Sequence, residues 1–331
     1  MKKIFLKTIT LLVIALLVCF FKQSSIKSQM FSTIEKVDAN TVIEKIVVPG
    51  NPTKSLIENN KNSKSTLEQL KAESAVIIDE KSKKTLFQKN PNKKLYPAST
   101  TKILTALLAI EYGDIDEIVQ VGNEINLVMP DASKAGLIYG EKIELENLLR
   151  ALLLPSGNDA AYVIAVHIAR KASGNNKMTI NNSLVYFRDM MNERLKKIGA
   201  NNSHFTNPDG YHNTDHYTTA HDLALIACEA MKKDIFKKVV KAYSYKMTSL
   251  KAGGNTNTVR EWINTNKLID KNSEHYYKYA TGIKTGYTSD AQYCLVSSAS
   301  KNGKNVIAVV LKDTQKDQWT DSINLLEYGL K

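Results

Sequence analysis

The two ends of the folded part read as β-structure, and the long stretch between them reads largely as helix. Ser74-Ala75-Val76-Ile77-Ile78-Asp79 is an apolar run of strand length, Glu80 to Lys84 is a polar turn, and Thr85 to Gln88 is the returning strand. Far downstream, Tyr293 to Ala299 and Asn305 to Leu311 are again β-type. Lys301-Asn302-Gly303-Lys304 separates them, and Asn-Gly between apolar runs is a strong hairpin signal. Between these ends, Ile103–Ile110, Leu145–Leu154, Ala160–Ala169, Phe187–Ile198 and Thr218–Met231 carry helical apolar spacing. Asn207-Pro208-Asp209-Gly210 is a turn cluster, and a helix from Asp317 to Tyr328 closes the chain. The expectation is an α/β fold: one antiparallel sheet formed by both ends of the folded region, with a helical subdomain inserted.

Residues 1–21 stand apart. Lys2, Lys3 and Lys7 precede an uncharged run from Thr8 to Phe21, the pattern of an export signal. Counted from Ile4 the run approaches the length of a membrane span. Lys22-Gln23-Ser24-Ser25-Ile26 is a poor cleavage site, so a cleaved signal and a retained N-terminal membrane anchor both stay open. Cys19 follows Val18 and reads as part of the signal, not as a lipidation site. Either way the rest of the chain is exported, to the extracytoplasmic face of the membrane or to the cell wall. Residues 22–71 are polar and lack a sustained period, as in a linker, which leaves 72–331 as the folded domain.

The 331 residues carry 45 Lys and Arg against 33 Asp and Glu, a formal charge of +12. Such a surface attracts anions, and acidic lipids or wall polymers meet that demand as well as nucleic acid does. No nucleic-acid partner is expected. Three cysteines cannot staple this much chain, and Cys228 and Cys294 sit in apolar runs as buried core residues, not as a pair.

Chemistry enters with three short motifs. Ser99-Thr100-Thr101-Lys102 opens the first apolar helix, where residues three apart share a face. A helix start favours developing negative charge, and a lysine buried there loses proton affinity until its amine can take the serine proton. Ser156-Gly157-Asn158 lies in a loop after Leu154-Pro155, presenting a hydroxyl and an amide able to relay a proton and hold a substrate amide. Lys284-Thr285-Gly286 starts a strand facing the hairpin: cation and hydroxyl suit a carboxylate, and glycine leaves room for a ligand along the strand edge. Each motif alone is weak. Ser24–Lys27, Ser298–Lys301, Ser173-Gly174-Asn175 and Ser322-Ile323-Asn324 repeat the spacings elsewhere, and a helix-capping serine is the ordinary reading of Ser99 by itself.

In this order and on these elements, the three resemble the penicillin-recognising serine enzymes. Pro97 to Lys102, Ser156 to Ala161, Gly282 to Thr288, and the stretches Met191–Arg194 and His204–Gly210 are similar to the low-molecular-weight D-alanyl-D-alanine carboxypeptidases. That resemblance implies a β-lactamase/transpeptidase-like fold and a penicillin-sensitive serine peptidase that removes the terminal D-alanine from peptidoglycan stem peptides. It implies Ser99 as nucleophile, Lys102 as general base, Ser156 as proton relay and Asn158 as a holder of the peptide. Lys284, Thr285 and Gly286 would bind substrate, and the backbone N–H groups of Ser99 and Tyr287 would form the oxyanion hole. Strand alternation alone does not put both Lys284 and Thr285 at the ligand; that pairing rests on the family. Stem peptides and β-lactams are the implied partners, the latter as covalent inhibitors, with no metal and no cofactor. Where relatives use a C-terminal amphipathic anchor, the N-terminal segment is the expected attachment, and Gln292 replaces a frequent glycine.

Three other readings compete. A serine β-lactamase needs a carboxylate for its deacylating water, and Glu193 lies at a plausible distance after Ser156, on what reads as an exposed helix face. A zinc peptidase is suggested by His212 and His216 with His221 nearby, but Asn213 stands where the motif needs glutamate. A non-catalytic β-lactam- or wall-binding module would keep the pocket without turnover.

Overall fold

The computed structural model describes residues 67–250 and 257–331. The N-terminal segment, most of the linker and the Ser24–Lys27 pair lie outside them. In chain order the elements are β1 (Ser74–Asp79), β2 (Thr85–Lys89), α1 (Lys102–Tyr112), β3 (Ile118–Gln120), β4 (Lys142–Glu144), α2 (Leu145–Leu153) and α3 (Asn158–Ser173). There follow α4 (Ile180–Ile198), α5 (Ala220–Met231), α6 (Asp234–Lys241), β5 (Ser244–Leu250) and β6 (Asn257–Ile263). The chain closes with β7 (Ala280–Thr288), β8 (Gln292–Lys301), β9 (Lys304–Asp313) and α7 (Asp317–Gly329).

The main sheet has the order β2-β1-β9-β8-β7 and is antiparallel throughout. Ser74 to Asp79 pairs in register with Leu311 to Val306, so the first and last strands of the folded part are joined at the centre of the sheet. The Asn302-Gly303 turn takes the positive φ angles, +52° and +78°, that a tight two-residue hairpin requires.

Alternation explains why these strands are apolar on both sides. Val76, Ile78, Ile307, Val309 and Leu311 face the helical core, whereas Ala75, Ile77, Val306, Ala308 and Val310 face a second cluster with α7 residues Trp319, Leu325 and Leu326. A strand covered on both faces has no reason to alternate polar and apolar residues. Within the helical side, α1 is buried from Lys102 to Ala109 and serves as the axle around which α2, α3 and α5 pack. Cys228 and Cys294 are free, buried thiols.

Two expectations need correction. The boundary at 71/72 falls too late: Leu67 and Leu70 are buried in the α7-side cluster, and the Lys71 and Ala72 amides donate to Asp321 Oδ2 at 2.6 and 2.9 Å. Lys284 does not start its strand; β7 begins four residues earlier, at Ala280. Gln292 occupies the glycine-favoured conformation after the β7–β8 turn, with φ +53°, and its amide closes the turn by donating to Ser289 O.

Candidate active site

Ser99 lies in a short 3₁₀ turn, Ala98–Thr101, that runs directly into α1. The turn is tightly held. Ala98 has φ +48°, Thr100 and Thr101 cap it by donating to Pro97 O and Ala98 O, and His216 pairs with Thr101 Oγ1 at 2.9 Å. Two glycines let other chain segments come close. A Cβ on Gly286 of β7 would lie 2.9 Å from Pro97 O and 3.1 Å from Ser99 N, and one on Gly210 would lie 1.9 Å from Ala98 O. The nucleophile turn is thus gripped between the edge strand β7 and the 207–210 turn.

From this position Lys102, at the first residue of α1, points back along the turn. Its Nζ donates to Ser99 Oγ at 2.8 Å, to Asn158 Oδ1 at 2.7 Å and to Asp209 O at 2.7 Å. No part of Lys102 reaches solvent. Burial pulls its proton affinity down to about 8, against the opposing pull of the Asp209 and Asp159 charges. Roughly a tenth of the amine is then neutral at pH 7.

Ser156 and Asn158 come from the turn between α2 and α3. Ser156 is strained, with φ +64°, and its carbonyl accepts from Ser133 Oγ at 2.7 Å while Asn158 N donates to Ser133 O at 2.9 Å. Just after it, the Asp159 carboxylate accepts from the amides of Ala135, Gly136 and Leu137, which fastens the 133–137 loop along the same side of the cleft. Across the cleft runs β7, whose far edge carries no partner strand among the described residues. Thr285 Oγ1 lies 2.6 Å from Thr265 Oγ1.

These segments enclose a cleft of about 730 Å³, lined by Ser99, Ser156, Asn158, Thr285, Gly286 and Tyr287 together with Ser133, Tyr211, His212 and Thr265. The three motifs therefore converge. Lys284 is the exception: it is buried beneath the cleft floor, on the opposite face of β7 from Thr285, and its Nζ donates to Thr285 O at 2.9 Å. Burial, then the nearby Lys102 charge, pushes its proton affinity well below the ordinary lysine value. Asp209 is the residue sequence reasoning passed over, reading it only as part of a turn. Its carboxylate, 2% exposed, accepts from Asn158 Nδ2 at 2.7 Å.

The similar-looking decoys lie elsewhere. Ser173-Gly174-Asn175 ends α3, Ser298–Lys301 belongs to β8, and Ser322 lies inside α7. Glu193 is on the exposed face of α4, paired with Lys197 at 2.6 Å, and does not line the cleft. His216 spends both ring nitrogens on protein partners: Nδ1 accepts from Thr206 N at 3.1 Å, which leaves Nε2 to donate to Thr101 Oγ1. Burial, reinforced by His204 and His212, pushes its pKa down to about 3, so the ring stays neutral.

The sequence pattern of the family described as D-alanyl-D-alanine carboxypeptidase matches residues 59–315. The chain belongs to that family. It is 33% identical over 263 residues to D-alanyl-D-alanine carboxypeptidase DacF of Bacillus subtilis, covering 78% of this chain and 62% of that protein. With the D-alanyl-D-alanine carboxypeptidase of Streptomyces sp. strain K15 the identity is 34% over 250 residues, covering 74% and 82% of the two chains. The crystal structure of the Streptomyces K15 DD-transpeptidase superposes with a TM-score of 0.71 at 32% identity, over 79% of this chain and 98% of that one. The chain thus spans about three fifths of the length of the Bacillus relative. The β-lactamase/transpeptidase fold read from the three motifs is shared with these family members.

Proposed function

We propose that the chain is a serine-type D-alanyl-D-alanine carboxypeptidase acting on peptidoglycan stem peptides outside the cytoplasm, and that β-lactams acylate it at Ser99. The observation that carries this reading is the 2.8 Å contact between Ser99 Oγ and a lysine amine wholly removed from water. In its neutral form Lys102 takes the Ser99 proton as Oγ attacks the carbonyl carbon of the penultimate D-alanine. Negative charge gathers on the carbonyl oxygen, and the N–H groups of Ser99 and Tyr287 are the proposed donors to it. Collapse breaks the peptide C–N bond. The leaving amine takes a proton relayed through Ser156, free D-alanine departs, and water hydrolyses the ester. Thr285, with Lys284 beneath it, receives the terminal carboxylate, and that anion favours the charged form of the lysine, which burial opposes. Residues 1–21 are the proposed signal or anchor and 22–66 the tether.

A second outcome of the same acyl-enzyme is favoured by one comparison: a similar solved structure is that of the Streptomyces K15 DD-transpeptidase. An amine in place of water would then receive the acyl group. Incubating the protein with a peptide ending in D-Ala-D-Ala and measuring free D-alanine, with and without an added acceptor amine, separates the two. Ser99→Ala should abolish both D-alanine release and the mass increase given by a penicillin. Undiminished release by Ser99→Ala would sink the proposal.

A further inference from the structure

We infer that Asp209 is a positioning residue: it holds the Asn158 amide in the one orientation that aims the Lys102 lone pair at Ser99. This rests on the acyl-enzyme reading above and deepens it. The reasoning starts from counting hydrogens. An ammonium has three N–H donors, and Lys102 Nζ has three acceptors, Ser99 Oγ, Asn158 Oδ1 and Asp209 O, at 2.8, 2.7 and 2.7 Å. The geometry is therefore that of the protonated, resting lysine. On losing a proton the amine keeps two N–H donors and gains one lone pair. Asn158 Oδ1 and Asp209 O are pure acceptors and must retain the two hydrogens. Ser99 Oγ alone can act as a donor, so the lone pair falls to it.

That assignment holds only while Asn158 presents oxygen, not nitrogen, to Lys102. An amide flipped by 180° would set an NH₂ group against the amine. Asp209 prevents this. Its Oδ2 accepts from Asn158 Nδ2 at 2.7 Å and its Oδ1 accepts from Tyr211 N at 3.3 Å; burial raises its proton affinity, while the Lys102 charge and the Tyr211 amide favour the ionised form. The residue thus acts twice on Lys102: its main-chain oxygen binds the amine, and its side chain fixes the amide that supplies the second acceptor. Gly210 makes this possible, because φ +82° turns the chain so that the Asp209 carbonyl and carboxylate both face inward beneath Ala98.

The charges facing Lys102 are Asp209 from this turn, Asp159 from α3 and Lys284 from β7. Asp209→Asn keeps the shape but removes one negative charge, so Lys102 should lose its proton at lower pH. It also lets the 158–209 amide pair adopt either orientation. The test compares wild type with Asp209→Asn and Asp209→Ala in two measurements. The first is the rate of acylation by a penicillin against pH. The second is titration of Lys102 itself, followed by the ¹³Cε resonance of labelled lysine and assigned through Lys102→Arg. For Asp209→Asn we expect the resonance midpoint to fall by about one pH unit, with a plateau rate about 10- to 100-fold lower. An unmoved Lys102 midpoint overturns the inference, as does a full plateau rate in both variants. A lower rate with an unmoved midpoint would mean a purely structural role and counts against it too. The resonance is read without catalysis, so a wild-type protein that penicillin does not acylate would sink the proposed function while the midpoint still decides the role of Asp209.

Discussion

At the scale of single residues, the site is built by placing lysine amines where water cannot reach them. Burial pulls Lys102 down to about 8, so the reactive form is the minor one at neutral pH and grows as pH rises. Acylation by a penicillin should therefore quicken about tenfold per pH unit below 8 and level off above it, which stopped-flow or quenched labelling across pH 6–9.5 would show. Lys284 is the second buried amine, with a single hydrogen bond to Thr285 O. Lys284→Met should raise the melting temperature by about 2–6 °C, as relief of an unfavourable buried polar group of roughly 1–2 kcal/mol. The same change should lower kcat/KM about 10- to 100-fold, because the amine beneath Thr285, whose charge attracts the carboxylate from under the cleft floor, is lost. Calorimetry and steady-state kinetics on one preparation test both halves. Ser99, Lys102, Ser156 and Thr285 were legible because their spacing within short motifs is nearly their spacing in space. Asp209 was not. It reaches Lys102 across 107 positions of sequence, and its fingerprint there is only Asn-Pro-Asp-Gly, a pattern any turn can show.

At the scale of elements, the decisive contact is β7 lying against the nucleophile turn. Gly286→Ala would put a methyl group 2.9 Å from Pro97 O, so strand or turn must shift. We expect acylation to fall about 100-fold, in keeping with the cost of misplacing reacting groups by a fraction of an ångström to one ångström, with the circular-dichroism spectrum unchanged. Gly303→Ala in the β8–β9 hairpin is the matched control: it has φ +78° but open space around it, and should cost about 1 kcal/mol of stability and no acylation rate. The long apolar elements were legible, and their ends moved by up to four residues, except that α4 starts at Ile180, seven residues before the expected Phe187. Missed were β3, β4, β5, β6 and α6. β3 and β4 are three residues each, too short for any period to register. In β6 the buried Trp262 stands between exposed Glu261 and Ile263, so the apolar pattern there does not mark which side is inside. Helix α6 is only eight residues, Asp234–Lys241, with its apolar face on Phe236, Val239 and Val240.

For the molecule as a whole, the N-terminal edge of the folded body matters more than composition suggests. Leu67 and Leu70 are buried against the α7 side, and Asp321 ties down the next two amides. A chain begun at Glu73 should be about 3–5 kcal/mol less stable than one begun at Asn62, since two buried leucines and two hydrogen bonds go with the deleted residues. Parallel thermal melts would register a drop of roughly 10 °C, and equal melting temperatures would refute it. The polar flank hid this boundary, because two leucines three positions apart do not stand out beside serines and lysines.

The centre of the sheet is the pairing of β1 with β9, strands whose ends are separated by positions 79 and 304. During synthesis the first hairpin must wait for nearly the entire polypeptide before its neighbour exists, so a nascent chain carries an unsatisfied strand edge until the last residues emerge. Closure over so long a loop is slow, and a premature stop a few dozen codons early would remove the sheet's middle strand, leaving nothing for the early strands to join.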